Sequence, residues 1–227
     1  MSQSTDASHV TKRQRTRRVA LRDGVYDEVE TKKKRLRLTQ KAIVSAAAEL
    51  FARNGFGATS LDDIAAVLKV TKAALYYHVK NKEEILRLIY LSVLNVAEEP
   101  LRQIVESDLD PEEKLRRAVE HHVMVSADRS PAVTVFYHEQ PHLTGPFSKE
   151  ITIRQKDYEH YFERIIEEGQ ATAVFLSDVD PKIATFGILG MCHWLSQWYH
   201  PSGLYSPAQI ATMFTAILEH GLLRSKE

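Results

Sequence analysis

Four times in the second half of this 227-residue chain, an Asp or Ser stands directly before a proline and a helix-period run follows: Asp110-Pro111, Ser130-Pro131, Asp180-Pro181 and Ser206-Pro207. Proline has a fixed φ and no N–H, so it suits the first turn of a helix, where that N–H would lack a partner anyway. The residue before it can cap the turn with its side-chain oxygen. The runs that follow, EEKLRRAVEHHVMVSA, AVTVFYHEQ, KIATFGILGMCHWLSQWYH and AQIATMFTAILEHGLL, read as helices. Pro141 breaks the second, and Pro201 and Gly203 close the third. A further amphipathic stretch runs from about Phe147 to Glu168 and stops at Gly169. No strand pairs and no internal repeat are visible. The chain reads as all-α, with near nine helices.

The first half carries the same punctuation at shorter spacing. Thr39 is placed to cap a helix whose apolar face is Ile43, Ala46, Ala47, Leu50 and Phe51, stopped at Asn54-Gly55. Thr59 or Ser60 caps a second helix, with Asp62 and Asp63 at its positive N-terminal end and Leu61, Ile64, Ala65 and Leu68 inward. Lys69-Val70 is a tight break, and Thr71 caps a very short third helix. Asn81 or Lys82 opens a longer one, which Pro100 is expected to bend or interrupt.

Three short helices with a tight break before the last match a helix-turn-helix. Val70, Leu75 and Val79 can anchor the third helix. Ala73 and Ala74 allow close approach of backbone to a DNA groove, and Lys72 reaches a base edge or a phosphate. Tyr76, Tyr77 and His78 offer donors to phosphate oxygens. Lys82 at the next helix start, and Thr59 and Ser60 at the second, supply further anion contacts.

Charge supports the division. Residues 1–84 hold 17 Lys and Arg against 10 Asp and Glu, whereas residues 85–227 hold 13 against 20. A basic front suits a polyanion and the acidic remainder does not. Residues 1–38, with KRQRTRR and KKKRLR, read as a disordered basic arm able to lie along phosphates or enter a minor groove. Residues 39–84 are then the helix-turn-helix domain and residues 85–227 the second domain. No apolar run is long enough to span a membrane, the N-terminus has no secretory core, and Cys192 is the sole cysteine. A reducing, cytoplasmic setting without membrane partners is expected.

The stretch GFGATSLDDIAAVLKVTKAALYYHVKNKEEIL resembles the DNA-binding domain of TetR-family transcriptional repressors, over about residues 39–90. The resemblance implies that Thr59, Thr71, Lys72, Ala73, Tyr76, Tyr77, His78 and Lys82 face DNA. It also implies a homodimer on a palindromic double-stranded operator, with an all-α C-terminal domain that binds an effector. The chain departs from the family pattern at Lys69 and Ala73, where glycine is common. Lys69 is therefore expected to hold a left-handed backbone.

In the C-terminal domain, the helices at 182–199 and 206–223 are apolar on broad faces. Ile183, Phe186, Gly187, Gly190, Ile210, Phe214 and Ile217 are expected to pair with their symmetry mates as a four-helix interface. The competing reading makes both simple core helices. Met124, Phe136, Tyr158, Phe162, Trp194 and Trp198 are candidates for an effector pocket, although core packing is the favoured reading of the tryptophans. Arg154 is the candidate cation for an anionic ligand, with Arg116, Arg117 and Arg129 as others. Over residues 150–223, the pattern from Arg154 and Tyr158-Glu159 through Ile165-Ile166-Glu167-Glu168-Gly169 to Gly190-Met191, Trp194, Trp198-Tyr199 and Pro201-Ser202-Gly203 looks like one branch of the family. That branch responds to acyl-CoA thioesters of fatty-acid, phenylacetate or sterol-ring catabolism. An uncharged drug or lipid is the alternative effector.

Two other classes remain to be weighed. His138-Glu139-Gln140-Pro141-His142 satisfies H-E-x-x-H, the zinc-peptidase spacing. Pro141 lies between the histidines and removes the shared helical face that the chemistry needs. Neither a metal nor a cofactor is expected. A helical adaptor explains the core but not a basic arm joined to a Lys-Tyr-Tyr-His helix.

Overall fold

The computed structural model describes residues 38–222, with no side-chain description of Leu222. The basic arm therefore lies outside the described residues, save for Leu38. From Gln40 onward the helices form one compact unit. They are α1 (Gln40–Asn54), α2 (Leu61–Leu68), α3 (Lys72–Tyr76), α4 (Lys82–Glu106) and α5 (Pro111–Ala127). Then come α6 (Pro131–His138), a 3-10 turn (Gln140–His142), α7 (Gly145–Ala171), α8 (Pro181–His193), α9 (Leu195–Trp198) and α10 (Pro207–Leu222).

Helix starts follow the capping chemistry. Ser60, Thr71, Asn81, Asp110, Ser130 and Asp180 each accept a backbone N–H of the first turn with the side-chain oxygen. At Ser60 the arrangement is reciprocal: Asp63 N donates to Ser60 Oγ at 3.2 Å, and Ser60 N donates to Asp63 Oδ2 at 2.8 Å. Ser206 and Gln209 repeat the exchange at the start of α10. Lys69 ends α2 at φ 56°, ψ 41°, in the left-handed region expected of it.

The sequence and the structure part at two helices. Pro100 neither ends nor divides α4, which runs on through it for 25 residues. Proline removes one N–H from the ladder. Within that turn, His121 Nε2–H donates to Ala97 O at 2.7 Å. The apolar run expected to continue from Lys182 to His200 is divided instead, because α8 ends at His193 and α9 is a single turn.

The main core lies among α4, α5, α7, α8 and α10, with Leu101, Val119, Phe162, Ile165, Ile166, Ile188 and Cys192 at its centre. α10 and α8 both pack on α5. The first three helices have their own small core of Ile43, Ala47, Phe51, Ile64, Leu75 and Val79. α1 packs on α4 and α6, tying that small core to the rest. Two guanidinium–carboxylate pairs brace α4 against α7. Arg87 Nη2 donates to Glu150 Oε1 at 2.7 Å, and Arg154 Nε donates to Glu98 Oε2 at 2.8 Å.

Candidate nucleic-acid surface and ligand cavity

α3 is five residues long and presents most of its side chains to solvent. Leu75 is buried beneath it and Thr71 caps it. Lys72, Ala73, Tyr76 and Tyr77 are exposed, Tyr77 by 87%. His78 is half-buried, with its ring edge-on to that of Tyr77. Thr71 and Ser60 are exposed at helix starts, though each oxygen is engaged in its own cap. Tyr76 at the end of α3 and Tyr77 just after it thus hold two large aromatic hydroxyl side chains in water. Lys72 Nζ donates to Asp62 Oδ2 at 2.8 Å, and that bond, more than the charge attraction, holds its ammonium pKa above the usual lysine value.

Two residues expected at this surface face elsewhere. Thr59 is buried, and its hydroxyl donates to Gly55 O at 2.9 Å. Lys82 turns its ammonium under the α1–α2 turn, donating to Phe56 O at 2.6 Å and Thr59 O at 2.8 Å and sitting 4.2 Å from the Phe56 ring centroid. The reason is local. The turn 55–59 points several carbonyls at one spot, and a cation there satisfies them better than water does.

One ligand-sized space lies in the helical bundle. A cavity of about 370 Å³ is walled by Val93, Leu94 and Ala97 of α4, His122 and Val125 of α5, Phe136, Tyr137 and Gln140, Tyr158 of α7 and Phe186, Leu189 and His193 of α8. Its walls are mainly apolar, with a few convergent polar groups, the usual composition of a small-molecule site. Among the described residues, no Lys or Arg borders it, and Glu159 does.

His122 is strongly perturbed there. Burial, then the neighbouring His121 and His193, push its pKa down to about 3, so the ring is neutral. His122 Nδ1 lies 2.9 Å from the Tyr158 hydroxyl, while Nε2 is sealed from solvent without a hydrogen-bond partner. Burial also lowers His193 and raises Tyr158 and Tyr137. Cys192, pushed up to about 12 by burial, is a thiol within the core.

Of the residues expected to line a pocket, Phe136 and Tyr158 do so. Phe162 is fully buried beside Tyr158 in the core. Met124 lines a second, separate pocket of about 630 Å³, with Val96 and Pro207. Trp194 and Trp198 neither line the cavity nor fill the core, as Trp194 is 63% exposed and Trp198 about half. Each of the four arginines already has a partner within the chain. Arg154 is held by Glu98 and Asn95, and Arg129 donates to Ser196 O, Leu195 O and Tyr199 O. Arg116 pairs with Glu113 and Glu219, and Arg117 with Glu113. The sequence pattern missed His122, Tyr137 and His193. His122 falls on the inward face of α5 with Leu115, Ala118 and Val119, which was the available signal.

Ile183, Phe186, Gly187 and Gly190 form an exposed stripe along α8, continued by Trp194; Ile217 and Met213 are exposed on α10. Ile210 is only 3% exposed and belongs to the chain's own core, and Phe214 packs against that core. α10 starts with its first apolar positions against α5, so Ile210 is spent within the protomer. The HEQPH segment is also divided. His138 ends α6 and His142 ends the 3-10 turn, and Glu139 Oε1 accepts from Phe56 N at 3.2 Å. The proline thus separates the histidines, and the carboxylate joins the end of α6 to the α1–α2 turn.

Residues 43–89 match the model of bacterial regulatory proteins of the tetR family, and residues 108–222 that of the tetracyclin repressor-like C-terminal domain. The HTH-type transcriptional repressor KstR2 of Mycolicibacterium smegmatis is 27% identical over 193 residues, covering 81% of this chain and 90% of that protein. The KstR2 of Rhodococcus jostii is 28% identical over 185 residues, covering 79% and 89%. Among solved structures, AibR in complex with isovaleryl coenzyme A and operator DNA superimposes with a TM-score of 0.71 at 31% identity, over 78% of this chain and 96% of that one.

Proposed function

Because the chain belongs to the TetR family of bacterial regulatory proteins, we propose that it is a ligand-responsive repressor acting as a homodimer on a palindromic operator, released by an acyl-CoA thioester. The observation that carries the reading is the pairing of an exposed Lys72–Tyr77 surface with an apolar cavity in one tied unit. The effector assignment draws on AibR, whose structure holds both isovaleryl coenzyme A and operator DNA.

The DNA contacts are Thr71, Lys72, Ala73, Tyr76, Tyr77 and His78, with Ser60 at the start of α2. Most of these position the protein on phosphates. The acyl group occupies the cavity. The phosphates of the coenzyme lie outside it, because the wall has no cation to receive them and Glu159 would repel them. The dimer forms through the stripe of Ile183, Phe186, Gly187 and Gly190 with Ile217, where glycines let helices approach closely. Phe186 and Gly190 also border the cavity, so a ligand there bears on the interface.

Release needs a ligand that prefers the DNA-incompetent geometry. The route supported here passes through α6. Phe136 and Gln140 border the cavity, and Glu139 between them holds Phe56 N of the α1–α2 turn. Footprinting of the region upstream of its own gene tests the reading. A two-fold-symmetric protected site, lost on adding an acyl-CoA, is expected; no protection at any salt concentration overturns it.

A further inference from the structure

Tyr158 and His122 settle which atom of the imidazole carries its proton. Within the described residues, the Tyr158 hydroxyl has His122 Nδ1 as its hydrogen-bond partner. If the ring donated from Nδ1, the phenol O–H and Nε2 would both be left unpaired. If the phenol donates, only Nε2–H is left. A buried polar group without a partner is costly, so the arrangement with one orphan is preferred. The neutral ring, whose residue borders the cavity, therefore carries its hydrogen on Nε2, an atom sealed from solvent behind the wall. That hydrogen is a donor in want of an acceptor.

The surrounding charges say which acceptor. The cavity wall has a carboxylate, Glu159, and lacks Lys and Arg. A carboxylate ligand would be buried without a counter-charge, whereas a carbonyl oxygen would not. We propose that His122 is the cavity's specificity-determining residue, donating from Nε2–H to one uncharged carbonyl oxygen of an otherwise apolar effector. The protein then takes a thioester, ester or ketone and rejects the corresponding free acid. Since Nε2 has no exposed surface, the carbonyl displaces a wall side chain to reach it, which couples binding to movement of the wall. The inference rests on the cavity being the effector site.

Four probes of one shape test it: S-methyl cyclohexanecarbothioate, cyclohexyl methyl ketone, ethylcyclohexane and cyclohexanecarboxylate. Calorimetry gives affinities, and NMR of protein labelled with ¹⁵N-histidine and ¹³C-phenylalanine reports on His122 and, through Phe136, on the cavity. The thioester and the ketone are expected to bind about tenfold more tightly than the hydrocarbon, one hydrogen bond's worth, and to shift the Nε2 resonance. The thioester against the ketone tells whether sulfur adds to recognition of the shared carbonyl. The carboxylate is expected not to bind, and His122→Phe to erase the preference for a carbonyl. Equal binding of ketone and hydrocarbon with Phe136 shifted and His122 unmoved would overturn the proposal and leave the cavity as the effector site. A Phe136 signal that no probe moves would overturn both. Should the variant not fold, the free protein still decides: an Nδ1–H tautomer of His122 refutes the donor.

Discussion

Replacing Lys82 with methionine separates two roles that the position could have. Methionine keeps most of the apolar stem and removes the ammonium. In the structure, that group makes hydrogen bonds of 2.6 and 2.8 Å to Phe56 O and Thr59 O and a cation–π contact with Phe56. A charge-assisted bond is worth about 1.5 kcal/mol at the low end, suited to this half-buried site, and the ring contact about 0.5. The loss is then roughly 3.5 kcal/mol, a Tm lower by about 7–14 °C for a chain of this size. Calorimetry on the two proteins measures it. Operator binding at a temperature where both are folded gives the second readout. A residue that supports the turn weakens binding but leaves the slope of log K against log salt unchanged. A phosphate contact instead lowers that slope by about 0.9 per protomer without moving Tm. An unaltered Tm with a reduced slope would refute the placement of Lys82 beneath the turn.

Three further outcomes follow from named contacts. Asp62→Asn releases Lys72 from its ion pair and removes a negative charge beside the DNA surface, so operator affinity should rise severalfold at low salt in an anisotropy titration. His122 has a folded-state pKa of about 3 against an ordinary 6.5, so the unfolded chain takes up a proton in that window that the folded chain refuses. Its stabilising contribution is complete above pH 6.5 and is lost as pH falls toward 3, at about 1.4 kcal/mol per pH unit, with His193 acting in the same direction. Urea midpoints at pH 7 and pH 5 should differ accordingly, and His122→Phe should narrow the gap. Glu139→Ala removes the acceptor for Phe56 N, so DNA binding should persist while the effector concentration needed for release rises several-fold; Glu139→Gln, which keeps an acceptor, should respond more like the parent.

Helix starts were the most legible part of the sequence, because a cap is a local interaction among four residues. Asp110, Ser130 and Asp180 cap as their following prolines implied, and Lys69 adopts the left-handed conformation that its place in the turn demanded. Pro100 did not end α4, because a proline removes only one N–H from the ladder while the helix keeps its packing on α5 and α7. Thr59 and Lys82 were misplaced as well. Polar side chains near such a short exposed helix look outward in sequence, but the carbonyls of residues 55–59 draw them in. The cavity was only partly legible, since Tyr158 and Phe162 share a periodic face and only the three-dimensional wall decides which one borders space. Trp194 and Trp198, read as pocket or core, are exposed beside the α8 stripe, which a single sequence cannot distinguish from burial within the protomer.

The central claim is that one chain couples operator binding to occupation of the α4–α8 cavity. Fluorescence anisotropy of a labelled duplex from upstream of its own gene, at fixed salt, tests it most directly when titrated with acyl-CoAs of increasing acyl size and with free CoA. The account predicts that an acyl-CoA whose acyl group fits a cavity of about 370 Å³ dissociates the complex, and that free CoA does not. Tight operator binding that no thioester disturbs would contradict it.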